Sequence, residues 1–132
     1  MKKIITLLFI TLTCIVNNYA QVLRSPAGNF EMNFKLQTDG TPVYQLAYKG
    51  KEIIKTSRLG LELKNDSLSL LNNFEIEKVD TASFDETWKH VWGEVTTIRN
   101  HYNEMAGTLH QKMTDRVMVI RFRLFKDGLG FR

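Results

Sequence analysis

Three kinds of residue in this chain could do chemistry. The histidines are His90, His101 and His110; the carboxylates lying near aromatic residues are Asp85, Glu86, Glu94 and Glu104; the tryptophans are Trp88 and Trp92. A metal site needs several ligands in register. His101, Asn103 and Glu104 come nearest, yet alternate residues of a strand share a face, so His101 and Asn103 point one way and Glu104 the other. There is no H-E-x-x-H pair, and sheet-edge polar residues are the expected role; no metal ligand is assigned. A glycosidase-type carboxylate pair must flank a scissile bond at a defined separation, which spacing along the chain does not reveal. The ordinary use of each carboxylate is a solvated face or a strand-end ion pair, so no catalytic residue is assigned. Nucleophile elbows, phosphate loops and dinucleotide loops are absent. Gly128-Leu129-Gly130 follows a strand with no helix after it and reads as a turn. An indole face can stack on a sugar ring, but large aromatics more often anchor a core or an interdomain contact.

What must position these residues begins after a leader. Met1-Lys2-Lys3, an apolar run from Ile4 to Val16 and Asn17-Asn18-Tyr19-Ala20 have the order of a secretory signal peptide. The run is too short to span a bilayer as a helix. Cleavage after Ala20 would leave residues 21–132. The one cysteine, Cys14, falls in the leader, which excludes a disulfide framework, a thiol nucleophile and thiolate-bound zinc from the remainder. Leu12-Thr13-Cys14 faintly matches a lipoprotein cleavage site, with Thr a poor residue before the cysteine; a periplasmic lipoprotein scaffold rests on that match alone. The formal charge of +4 includes Lys2 and Lys3, so the remainder carries about +2, too balanced for a nucleic-acid footprint. Export to the periplasm or cell surface of a Gram-negative cell is expected, with neither nucleic acid nor a membrane span.

Beyond the leader the chain reads as strands and turns. Phe30, Met32, Phe34 and Leu36 alternate with polar residues, the period of a half-buried strand. Asp39-Gly40 supplies a hairpin turn. Tyr44 to Tyr48 alternates again, Lys49-Gly50-Lys51 turns, and Glu52 to Lys55 resumes. Leu59, Leu61 and Leu63 alternate as a further strand. A helical turn could fill Leu68 to Asn73. Phe74, Ile76 and Val79 form a short strand ahead of a polar stretch, Asp80 to Asp85. Val95 to Tyr102 is rich in β-branched residues. Met105 to Met113 is less regular, with a bulge or turn expected at Gly107. Arg116 to Phe125 alternates strictly, and Asp127-Gly128 turns into Leu129-Gly130-Phe131. No window holds an amphipathic helix. The expectation is all-β: one antiparallel β-sandwich domain over 21–132. A strand that starts at Leu129 and stops at Arg132 suggests the front piece of something longer.

Five phrases carry a resemblance. Trp88-Lys89-His90-Val91-Trp92-Gly93-Glu94 is followed by Ile98-Arg99-Asn100-His101-Tyr102-Asn103-Glu104. Ser25-Pro26-Ala27-Gly28 looks like the opening of the first strand. Ser57-Arg58-Leu59-Gly60-Leu61 is the fourth, and Phe122 through Arg132 the fifth. In this order they resemble the amino-terminal domain of glycoside hydrolase family 97, the α-glucosidases and α-galactosidases of starch-utilising Bacteroidetes. The resemblance implies an amino-terminal β-super-sandwich ahead of a catalytic β/α barrel that is absent here. It implies that the catalytic carboxylates and a calcium ion belong to the full-length enzyme, with no cofactor in this chain. The partners it implies are that barrel and α-linked glucosides or galactosides. Trp88, Trp92, Gly93, Glu94, His101, Asn103 and Glu104 are the candidate carbohydrate or interdomain contacts. The alternative is a stand-alone secreted carbohydrate-binding or structural β-sandwich module.

Overall fold

The structure is a computed structural model that describes residues 20–65, 68–89, 91–92, 94 and 96–132. The leader, and Gly93 among the candidate contacts, lie outside the described residues. Among the described residues eight strands follow in order: β1 (Gln21–Arg24), β2 (Phe30–Leu36), β3 (Pro42–Tyr48), β4 (Lys51–Arg58), β5 (Phe74–Lys89), β6 (Thr97–Gln111), β7 (Arg116–Phe125) and β8 (Leu129–Phe131). They make two four-stranded antiparallel sheets, ordered β1-β2-β3-β4 and β5-β6-β7-β8. None of the described residues forms a helix.

Alternation builds the core. In β2 every second residue is buried, so Phe30, Met32, Phe34 and Leu36 face the second sheet. Met105 and Leu109 of β6 and Ile120, Phe122 and Leu124 of β7 face them. The Phe34 and Phe122 rings meet across the gap with centroids 5.3 Å apart, and Tyr44 lies 6.2 Å from Phe122. Both sheets bury one face against the other, which is the β-sandwich that the sequence predicts.

The Asp39-Gly40 turn is found. Thr41 N donates to Asp39 Oδ1 at 3.0 Å and Thr41 Oγ1 to Asp39 Oδ2 at 2.9 Å. Gly40 has φ of +76°, and a Cβ there would come 2.5 Å from the Phe74 amide nitrogen. Only glycine satisfies both conditions. The close approach ties the β2–β3 turn to the start of the second sheet, where Asn73 N donates to Asp39 O at 2.9 Å.

Several sequence expectations give way. Asp80 to Asp85 is not a break: β5 runs unbroken from Phe74 to Lys89 and pairs with β6 throughout, apart from a bulge between Ile76 and Lys78. Nearly all of its later residues are exposed on both faces, so no apolar alternation marks the strand. β6 is likewise continuous through Gly107, which sits under the Phe34 ring rather than in a turn. Leu59, Leu61 and Leu63 make no strand; β4 ends at Arg58, and Leu61 keeps only an isolated bridge to Leu70. Leu68 to Asn73 holds bends and turns instead of a helical turn, in those residues described. Ser25 to Asn29 is the β1–β2 turn, not the opening of the first strand, with Phe30 N donating to Ser25 Oγ at 3.1 Å.

Candidate functional site

The candidate site arises from unequal strand lengths. The last β7 partner of β6 is Phe125, opposite Tyr102, whereas β5 follows β6 as far as Lys89 opposite Thr97. Residues 85–89 and 97–101 therefore extend past β7 as a two-stranded arm. Beside the arm, where the β7–β8 turn falls away, lies a recess of about 290 Å³. Trp88 and Phe125 give it aromatic surface; Arg99, His101, Lys126 and Asp127 give it polar groups. Aromatic surface beside several polar groups is a make-up that small-ligand sites share.

Ion pairs stiffen the arm and its base. Arg99 Nε and Nη2 donate to Asp85 Oδ1 and Oδ2 at 2.8 and 2.7 Å, a two-pronged pair across the arm. These bonds hold the Asp85 carboxyl below its usual range and push the Arg99 guanidinium up. On the outer face Glu104 accepts from Arg121 Nη1 and Arg123 Nε, both at 2.8 Å, with 15% of its side chain exposed. The Arg123 bond foremost, then Arg121, holds the Glu104 carboxyl below its ordinary range against partial burial. Above this, Tyr102 stacks on Phe84 at 5.1 Å and meets Phe125 at 5.2 Å, while the Arg123 guanidinium lies 4.7 Å from the Tyr102 centroid.

The candidate residues do not form one cluster. Trp88 and His101 share the recess. Asn103 lies elsewhere, in a shallow cleft of about 630 Å³ between β1 and β5. Its Nδ2 donates to Arg24 O and its Oδ1 accepts from Ser83 Oγ, each at 2.8 Å. Glu104 points to the opposite face, as the strand period predicts. Trp92 and Glu94 stand exposed between β5 and β6. The more frequent use of tryptophan, as a core anchor, fails here: Trp88 is 41% and Trp92 84% exposed. Phe125, Lys126 and Asp127 were missed by sequence reasoning; they close the strict β7 alternation and the turn after it, and nothing local places that turn beside Trp88.

The family model described as Glycosyl-hydrolase 97 N-terminal matches residues 23–132. The chain belongs to this family. A family 97 enzyme from Pseudoalteromonas sp. strain K8 superimposes with a TM-score of 0.77 at 31% identity, both in a variant complexed with panose and in a complex with acarbose. Each match covers 84% of this chain, which spans 17% of the length of that enzyme. A β-arabinopyranosidase superimposes with a TM-score of 0.73 at 18% identity over the same share of each chain, a likeness of fold alone.

The calcium that family 97 implies needs six to eight oxygen ligands. Among the described residues no three His, Cys, Asp or Glu side chains gather to hold a metal. Asp85 and Glu104 are already engaged by arginines. Among the described residues, carboxylate side chains alone therefore do not make up a calcium cage.

Proposed function

We propose that this chain is a non-catalytic amino-terminal part of an exported family 97 glycoside hydrolase, an α-glucosidase or α-galactosidase. In that role it packs against a catalytic β/α barrel and helps wall the carbohydrate site. The observation that carries this reading is the arm beyond β7, with Trp88 exposed on it and Trp92 exposed between its two strands. Large exposed aromatic side chains beside a recess mark surfaces made to be covered. The complexes of the Pseudoalteromonas enzyme with panose and acarbose support α-linked oligosaccharides as the ligand class. The test is replacement of the corresponding segment of that enzyme by residues 21–132 of this chain. The isolated chain is expected to hydrolyse neither α-glucosides nor α-galactosides, while the chimera does, and Trp88→Ala together with Trp92→Ala lowers its turnover. Hydrolysis by the isolated chain, or a chimera indifferent to both substitutions, would sink the proposal.

A second reading, a stand-alone carbohydrate-binding module, is favoured by the recess itself, since Trp88, Phe125 and His101 all belong to this chain. Retention of the isolated chain on starch or galactan, lost in Trp88→Ala, would select it.

A further inference from the structure

The turn between β6 and β7 holds more than its own hairpin. It secures the segment 68–73, which leads into the second sheet. Gln111 Nε2 donates to the carbonyls of Ser69 and Asn72 at 3.1 and 3.0 Å. Lys112 N donates to Asn73 O at 3.1 Å, and Arg116 Nη1 to Leu68 O at 3.1 Å. At the root of this turn His110 stands between two carboxylates. Its Nε2 lies 2.6 Å from Asp115 Oδ1 and its Nδ1 3.5 Å from Glu75 Oε1. Lys112 Nζ lies 3.0 Å from Glu75 Oε2, and β7 places Val117 opposite His110.

A neutral imidazole has one N–H and one lone pair, so one of its nitrogens would turn a lone pair toward a carboxylate. An imidazolium donates from both nitrogens. Asp115 also holds φ at +57°, a left-handed conformation that non-glycine residues reach at a cost. The contact with His110 helps retain it. We propose that His110 is a pH-sensitive clasp: charged, it joins Glu75 of β5 to Asp115 of the β6–β7 turn and so secures the segment 68–73; neutral, it lets the turn and that segment loosen.

The electrostatics agree. The hydrogen bond to Asp115 first, and Glu75 after it, raise the His110 imidazole above its ordinary 6.5, against partial burial. A raised value means that the stabilisation is fully present below pH 6.5 and is lost as pH climbs through the folded-state value. Both carboxylates are exposed, so salt weakens the clasp.

Hydrogen exchange of the full chain at about pH 5.5 and about pH 8.5, corrected for intrinsic rates, tests this across the histidine range. Peptides over 68–73 and 111–116 should lose protection at the higher pH, more so in high salt. In His110→Gln they should show the low protection at both pH values. An NMR titration should place His110 above 6.5, and Asp115→Asn should move it down. Equal protection in the wild type at both pH values, or an unchanged pH response in His110→Gln, would overturn the clasp. Should His110→Gln not fold, the titration decides: a His110 value that Asp115→Asn leaves in place overturns it.

Discussion

Gly40 carries two constraints at once, a left-handed φ and a 2.5 Å approach to backbone. Gly40→Ala should therefore destabilise the chain by at least about 2 kcal/mol, from strain and overlap together. Gly128 meets nothing within 4 Å, and Gly128→Ala should change stability by no more than about 0.5 kcal/mol. Urea unfolding of the two variants measures the contrast; equal losses would contradict it. Glu104 is the other decisive residue. Its lowered carboxyl value means that its stabilisation is present above its ordinary 4.5 and disappears as pH falls through the folded-state value. Glu104→Gln should cost about 1–2 kcal/mol at neutral pH through weakened charge-assisted bonds. It should also flatten the acid limb of the stability curve, which thermal melts across acidic pH would record. The strand period puts Glu104 on the other face from His101, but its arginine partners come from β7 and no local pattern names them.

At the scale of elements, β2 and β7 were legible because each buries one face and exposes the other, writing a period of two into the sequence. β5 was legible only at its start. Past Asp80 it gains its strand state from the ladder to β6, and a strand exposed on both faces carries no apolar stripe. The leucines at 59, 61 and 63 show the converse: they alternate, yet among the described residues they join no strand, and Leu61 makes an isolated bridge to Leu70. β1 depends on a longer-range tie. Asn103 of β6 binds the Arg24 carbonyl and is itself held by Ser83. Asn103→Ala should cost about 1 kcal/mol and raise the exchange of β1 amides selectively. Uniform loss of protection over all strands would show that the tie is not local.

For the whole molecule, stability rests on the contact of two faces that neither sheet could bury alone. Phe34 and Phe122 are both fully buried and stand at its centre. Phe122→Ala should cost about 3–5 kcal/mol, a large share of the about 5–15 kcal/mol that holds a small domain. Because the rings touch, Phe34→Ala and Phe122→Ala should be non-additive in a double-mutant cycle, by about 0.5–3 kcal/mol. Strict additivity would mean that the faces do not pack as described. The same packing leaves the arm outside the core, so its aromatics remain available for the covering surface proposed above.

The fold class, the turns at Gly40 and Gly128, the inward faces of β2 and β7, and the phrases that resemble family 97 are all written in the order of residues. These are local properties: a period, a turn residue, a run of words. Packing between distant strands alone puts Trp88 and the β7–β8 turn around one recess, gives Asn103 and Glu104 partners outside it, and sets His110 between two carboxylates. Each of these depends on which strands lie side by side and where the shorter one ends, and register between distant strands is set by the packing of the whole sheet rather than by any one segment.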